Sequence, residues 1–207
     1  MTAIDKNDLA MLQKAKKNLS AMDLSGANLE GIDLSSGNLI STNFKESNLK
    51  NGNFASSKLD SADFTKADLS CADFSGAKLF KTIFFQAKLS ETNFTEADLM
   101  GANLSSANLS GANLSLCTLT EANLIDSNLT GANLKGSKLI GRFTREGYFS
   151  RGANLTRCIL KEANLSQTDC HGVDIPDADL RGVNLSNANL IEADLRRANL
   201  SGANLTG

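Results

Sequence analysis

Leucine or phenylalanine occupies every fifth position over most of this sequence. The series runs without exception from residue 19 to residue 139 and resumes from 155 to 205, with Cys170 and Ile175 in place of leucine. Five residues of α-helix turn about 500°, so these side chains would spiral around a helix and form no apolar stripe. On an extended strand an odd spacing sends successive side chains to opposite faces. The period therefore predicts a chain that turns a corner once in every unit, so that each unit forms one short side of a coil.

Phenylalanine replaces leucine in every second unit of the middle of the series. The positions are Phe44, Phe54, Phe64, Phe74, Phe84 and Phe94. A three-sided coil would scatter these rings over all of its sides. A four-sided coil of 20 residues stacks alternate ones, so that Phe44, Phe64 and Phe84 share one side and the other three share the opposite side. Like side chains pack well at the spacing of about 4.8 Å between β-rungs, and about nine such coils would form a rod roughly 45 Å long.

A small residue, most often Ala, stands two positions before each Leu or Phe, and the residue between them is usually Asn or Asp. Residues 102–106 show the unit, which is Ala-Asn-Leu followed by two polar residues. This motif, which residues 19–205 follow, resembles that of the pentapeptide-repeat family. The resemblance implies an all-β fold, a right-handed quadrilateral β-helix. It also implies that the Leu or Phe and the small residue point inward while the other three residues point outward.

Residues 1–18 depart from the repeat and predict an N-terminal capping helix over residues 5–17. Met11, Leu12 and Ala15 lie near helical spacing, with acidic residues before them and lysines after them, as the helix dipole prefers. Such a helix would cover the unpaired backbone of the first coil, an edge that otherwise invites aggregation. A helix lying on a membrane surface is the alternative, but its apolar face would be small.

At the C-terminal end the repeat continues to Leu205 without a helix or a charged plug. The last coil would then expose apolar side chains and unpaired backbone to water. We expect a second copy of the chain to cover this edge, which gives a homodimer through the C-terminal coil. A truncated chain is the alternative explanation.

The repeat domain, residues 19–207, is interrupted by a bulge or loop at 140–152, where Leu139 and Leu155 lie 16 residues apart. That separation is three units plus one residue, which a bulge that restores the register would explain. The segment 141–151 is also rich in arginine and aromatic residues, a composition typical of interaction hot spots. The candidate partner-binding residues are Arg142, Phe143, Arg145, Tyr148, Phe149 and Arg151. The sequence leaves open whether the segment is only a bulge or also a recognition surface.

Charge and composition argue against several classes of protein. The 21 basic and 23 acidic residues give a net charge of −2, which does not favour direct nucleic-acid binding. No apolar run approaches the roughly 18 residues of a membrane span, and the N-terminus lacks the apolar core of a signal peptide. We therefore expect a cytoplasmic protein that does not bind membranes.

The residues that carry most catalysis and metal binding are scarce. The four cysteines lie far apart without a C-x-x-C pair, which argues against a zinc site, and Cys117 and Cys158 stand where the repeat otherwise holds Ala. Cys170 adjoins His171, the only histidine, but Cys170 occupies an inward position and His171 an outward one. Such a pair cannot share a proton. With no nucleotide-binding loop and no calcium-binding repeat, we expect neither an enzyme nor a cofactor nor a metal.

These expectations favour a non-enzymatic protein-binding scaffold or regulatory protein. It would recognise an unidentified protein partner through the outward faces of the rod and through residues 141–151. Some pentapeptide-repeat proteins bind DNA gyrase by imitating duplex DNA and protect it from quinolones or toxins, which is the alternative. Such mimicry needs columns of negative charge, whereas one outward column here alternates Asp33, Asn53 and Asp73, and another begins with Lys58 and Lys78.

Overall fold

The computed structural model describes residues 18–141 and 152–207, and these residues contain no helix and no continuous strand. Every fifth residue instead forms a single parallel β-bridge to the residue 20 positions further on, from the pair Asp23 and Asn43 to the pair Asn184 and Asn204, except across the interruption. Since each unit has five residues, a coil of 20 has four sides. This is the coil that the phenylalanine spacing predicts. Its right-handed winding stays a prediction.

The sides are numbered in chain order by their inward residues. Side 1 begins at Leu19, side 2 at Leu24, side 3 at Leu29 and side 4 at Leu34, and each continues in steps of 20 residues up to the interruption. A coil is counted from its side 1 residue, so coil 4 spans residues 79–98. The corner between two sides takes both of their numbers, as in corner 1/2.

Backbone hydrogen bonds hold each unit within its coil and between coils. At the regular corners an N–H donates to the carbonyl three residues earlier, as from Ala67 N to Phe64 O at 3.0 Å. Between coils, Leu69 N donates to Lys88 O at 2.8 Å and Asp68 N donates to Ser47 O at 2.9 Å. Repeated along the rod, these bonds pair backbone groups that would otherwise be buried without partners.

The last residue of each unit turns the corner in the left-handed conformation. Its φ is positive at every corner from Ala21 to Gly136 and from Arg157 to Gly207. Many of these residues are not glycine, and their φ lies between 55° and 61°. That conformation costs an L-residue roughly 1–2 kcal/mol. The stack offsets the cost because the same residue's N–H donates to the next coil, as from Lys66 N to Phe85 O at 2.9 Å.

The phenylalanines form the centre of the core, and all six have no solvent exposure. On side 2, the rings of Phe44 and Phe64 stack with centroids 4.8 Å apart, and those of Phe64 and Phe84 lie 5.1 Å apart. The side 4 rings of Phe54 and Phe74 stack at 4.7 Å. The two columns meet edge to face, as between Phe64 and Phe74 at 5.7 Å, an arrangement that aromatic quadrupoles favour. The predicted columns are confirmed.

The small inward position also accepts hydroxyl and thiol side chains, because a carbonyl lies within reach. Ser57 Oγ donates to Phe54 O of its own corner at 2.6 Å, whereas Thr82 Oγ1 donates to Leu59 O of the preceding coil at 2.9 Å. Cys117 and Cys158 are buried here, and each thiol donates to a carbonyl at 2.8 Å. Burial raises the pKa of both thiols to about 12. Their prediction as small buried side chains is confirmed.

The interruption enlarges one corner and leaves the β-bridges on both sides of it in place. Asn123 bridges to Asn154, which is 31 residues further on rather than 20, so the coil carries 11 additional residues. Ala153 N donates to Leu139 O at 2.7 Å, which is the bond that closes the regular corners, as from Ala122 N to Leu119 O. The extra chain therefore leaves and re-enters at corner 1/2, between Gly141 and Ala153. It is an insertion into one turn.

The two ends of the stack differ in exposure. The inward leucines of coil 1, from Leu19 to Leu34, are at most 2% exposed. In the last coil Leu195 and Leu200 are partly exposed, and Leu205 is 55% exposed. The predicted capping helix over residues 5–17 lies outside the described residues.

Candidate protein-binding surface

Most of the outward surface uses its polar groups within the rod. The Asn or Asp of a unit accepts a hydrogen bond from the N–H two residues later, as Asp63 Oδ1 does from Thr65 N at 2.9 Å. On side 4, Asn133 Nδ2 donates to Asn113 Oδ1 at 3.1 Å, and Asn164 continues the ladder at 3.3 Å across the insertion. These walls are built of small polar residues that already bond to one another. These walls therefore make the surface of the rod regular and do not form a distinctive binding site.

Corner 2/3 carries an alternating column of charge near the C-terminal end. Arg157 donates to both carboxylate oxygens of Asp126, at 2.6 and 2.7 Å, and Arg197 donates to Asp177, with Nη2 and Oδ2 2.7 Å apart. These hydrogen bonds lower the pKa of Asp126 and Asp177. Because the charges of this column cancel, it braces successive coils and offers a partner no net charge.

The outward surface changes character at coil 4. Phe80 and Phe85 are the two phenylalanines of residues 18–141 and 152–207 that do not lie in the interior, and both are partly exposed. They occupy equivalent positions on sides 1 and 2, with Lys81 at the corner between them and Ile83 beside it. Lys81 extends its stem over Gly101 and holds its ammonium 5.1 Å from the centre of the Phe80 ring. This places aromatic, aliphatic and cationic groups around corner 1/2.

Two further lysines border this cluster. Lys78 precedes Phe80 on side 1, and Lys66 occupies corner 2/3 where its N–H bonds Phe85 O. We call Lys66, Lys78, Phe80, Lys81, Ile83 and Phe85 together the coil 4 patch. The three lysines are exposed, and none forms an ion pair with the residues that the structure describes. Sequence reasoning missed this patch, although aromatic residues at outward positions that otherwise hold mainly Ser or Thr were a visible signal.

The predicted partner-binding residues from Arg142 to Arg151 lie outside the described residues. Their point of attachment is described, since Gly141 and Ala153 flank the insertion at corner 1/2. Lys81, Gly101, Glu121 and Gly141 follow one another along this corner. The attachment point of the insertion and Lys81 of the coil 4 patch are therefore on the same corner, three coils or about 14 Å apart.

The described residues hold no group of His, Cys, Asp and Glu side chains arranged to bind a metal ion. Cys170 is buried in the core, and burial raises the pKa of its thiol to about 12. His171 is partly exposed, with its Nε2 3.8 Å from Glu192 Oε2. The thiol and the imidazole thus lie on opposite faces of the wall, as the repeat predicts.

A sequence profile described as pentapeptide repeats matches the chain in eight copies, within residues 18–51, 53–84, 84–115, 107–141, 151–182 and 169–207. Together with the 20-residue coil, this match decides the family. The chain belongs to the pentapeptide-repeat family. No curated protein matches this pentapeptide-repeat chain with significance. Within the described ranges, no helix has the length and apolar character needed to cross a membrane.

Several solved pentapeptide-repeat structures are similar to this one. HetL, a pentapeptide repeat protein involved in heterocyst differentiation regulation from the cyanobacterium Nostoc sp. strain PCC 7120, is 27% identical with a TM-score of 0.65, and the match covers 97% of this chain and 94% of HetL. QnrB1, a plasmid-mediated fluoroquinolone resistance protein, is 21% identical with a TM-score of 0.47 over 92% of this chain and 86% of its own. Rfr23 from the cyanobacterium Cyanothece 51142 is 32% identical with a TM-score of 0.33, over 52% of this chain and 63% of its own.

Proposed function

We propose that this pentapeptide-repeat protein is a non-enzymatic binding scaffold of a regulatory kind. It recognises a protein partner through its outward faces and through the insertion that contains Arg142, Phe143, Arg145, Tyr148, Phe149 and Arg151. The observation that carries the proposal is the closed turn beneath the insertion, where Ala153 N bonds Leu139 O at 2.7 Å. The β-bridges on both sides of the corner also form as elsewhere in the rod, which supports a role for the 11 added residues beyond the fold.

The energetics of the insertion support this assignment. Closing a flexible loop costs conformational entropy that grows with the logarithm of its length, about 2 kcal/mol for a loop of this size. The bridges on both sides of the corner are the same as elsewhere in the rod. Arginine and aromatic side chains are those that concentrate binding energy at protein interfaces. HetL, which matches almost the whole chain, takes part in regulation, and this likeness favours a regulatory role here.

The alternative, gyrase binding by imitation of DNA, has weaker support. The outward columns alternate carboxylates with amides or lysines, as in Asp73, Asn93 and Asn113 on side 4 and Lys78 and Asp98 on side 1. A mimic of the phosphate backbone would need near-continuous negative charge. A partner other than a DNA-binding enzyme therefore fits the surface better.

The experiment removes residues 142–152, which joins Gly141 directly to Ala153 and restores an unbroken five-residue register. We expect the deletion variant to fold and to be as stable as the intact protein, or about 1–2 kcal/mol more stable because the loop-closure cost is gone. Affinity capture from the native host with both forms should identify a partner that only the intact protein retains.

A double variant, Arg145→Ala with Tyr148→Ala, separates recognition from folding. Exposed substitutions usually change stability by less than about 0.5 kcal/mol, so its thermal midpoint should match that of the intact protein. Its affinity for the captured partner should fall by 1–2 kcal/mol or more, about tenfold, as for interface hot spots. Equal affinity of the intact, deleted and double-variant forms would reduce the insertion to a structural bulge.

A further inference from the structure

We propose that the coil 4 patch is a second binding surface, which takes an acidic peptide segment with apolar side chains. The proposal depends only on residues of coils 3 and 4. The proposal is therefore independent of what the insertion recognises.

The apolar part of the patch has no role in the stack. The core of coil 4 is already filled by Leu79, Phe84, Leu89 and Phe94, which have no solvent exposure. In the column of Phe85, the preceding coil has Thr65 and the following coil has Ser105, so the wall forms equally well with small hydroxyl side chains. Two outward phenylalanines and an isoleucine around one corner therefore present apolar surface that folding does not require. Clusters of this kind mark interaction sites.

The charges around the patch determine the chemistry of its occupant. Lys66, Lys78 and Lys81 are exposed and form no ion pair with a described residue. Three neighbouring carboxylates already have partners within the rod. Asp60 Oδ1 accepts a hydrogen bond from Phe80 N at 3.1 Å, Asp98 Oδ1 accepts one from Met100 N at 3.2 Å, and Asp63 Oδ2 pairs with Lys45 Nζ at 3.1 Å. Three lysines next to partly exposed aromatic rings complement a segment that alternates carboxylate and apolar side chains. Complementary charge also speeds association and rejects basic competitors.

A nucleic acid fits this surface less well than an acidic peptide. Single-stranded nucleic acid needs a groove of continuous positive charge along its backbone in addition to stacking rings. Carboxylates border the patch on sides 1 and 2. On side 1, Asp60 lies one coil before Phe80 and Asp98 lies one coil after Lys78. On side 2, Asp63 bridges to Ile83. The positive region is thus short, extending only from Lys78 on side 1 to Lys66 at corner 2/3. Its extent suits a short peptide segment rather than a phosphate backbone.

The test measures binding of a short synthetic peptide in which Glu alternates with Leu and Phe, by fluorescence anisotropy with the intact protein. We expect saturable binding that weakens as salt is added, because the lysines contribute screened charge pairs. The same peptide with Ser in place of Leu and Phe, and one with Lys in place of Glu, should bind at least about tenfold more weakly.

Two variants locate the site on the rod. Phe80→Ser with Phe85→Ser, and separately Lys78→Glu with Lys81→Glu, should each weaken binding of the acidic peptide about tenfold or more. The matched control, Ser115→Glu with Thr130→Glu, changes outward residues of sides 4 and 3 and should leave binding unchanged. Circular dichroism melts of all forms verify that each one is folded.

Three outcomes would overturn the proposal. If the acidic peptide binds all variants equally well, its site lies elsewhere. If a single-stranded oligonucleotide binds the intact protein more tightly than the peptide does, with the same dependence on Phe80 and Lys81, the patch is a nucleic-acid site. Absence of binding to the intact protein at millimolar peptide would also contradict it.

Discussion

At the scale of single residues, the corners are where this fold strains the backbone. Each unit ends in a residue with a positive φ, and Glu96 and Leu116 adopt it at 61° without the freedom of glycine. Glycine at this position removes the strain, and Gly131 does so at φ 66°, with open space where a Cβ would stand.

The turn glycine yields a direct prediction. Gly131→Ala should lower the free energy of unfolding by about 1 kcal/mol, because the added Cβ meets no neighbour and only the left-handed φ is penalised. Urea denaturation monitored by circular dichroism provides the measurement. The control Ser110→Ala changes an outward residue outside the positive-φ set and should stay within about 0.5 kcal/mol. Equal losses for both variants would show that the backbone conformation is not the cause.

The left-handed corner was not predictable from the repeat alone. Glycine is the usual sign of a positive φ, and here Lys66, Cys71 and Arg157 adopt it as well. The chain accepts the strain because inter-coil hydrogen bonds fix the corner, and such long-range pairing is invisible in a unit of five residues. By contrast, the inward direction of Leu, Phe and the small residue follows from the period, and their burial confirms it.

At the scale of the element, the coil is specified by the spacing of its phenylalanines. The alternation of Phe and Leu predicts four sides, and the stacked rings of Phe44, Phe64 and Phe84 confirm it. The insertion was harder to predict, since a separation of 16 residues suits either three units and a bulge or one unit and an 11-residue loop. The bridge between Asn123 and Asn154 and the bond between Ala153 N and Leu139 O distinguish them.

The central phenylalanine of the side 2 column provides a test of this packing. Phe64→Ala should lower the free energy of unfolding by about 3–5 kcal/mol, because the ring is fully buried and contacts four other rings. Phe64→Leu, which installs the residue found at most inward positions, should cost clearly less. Chemical denaturation compares the two variants, and equal losses would mean that the rings contribute no more than the repeat leucine does.

At the scale of the whole molecule, the two ends of the rod behave differently. The inward leucines of coil 1 are buried, whereas Leu205 in the last coil is 55% exposed. The predicted N-terminal cap lies outside the described residues. The homodimer expected from the repeat, in which two copies cover each other's last coil, stays a prediction.

Sedimentation velocity tests the homodimer. The intact chain should sediment with nearly twice the mass of one copy, because two partly exposed end coils would bury their leucines and pair their backbone edges. Leu200→Arg should convert it to a monomer by placing a charge in the end interface. Ser201→Arg, on an outward position of the same unit, is the control and should remain dimeric. A monomer at high micromolar concentration of the intact chain would contradict the prediction.

The closed turn beneath the insertion also fixes a distance. Between Lys81 and Gly141 lie three coil steps, and a stack of bridged coils resists compression and bending as a loop cannot. The separation of the two features on corner 1/2 is therefore set by the number of coils, in steps of about 4.8 Å. Loss or gain of one whole 20-residue coil between them would change that interval while preserving every wall. The number of stacked coils therefore sets the spacing of the two proposed recognition elements along the rod.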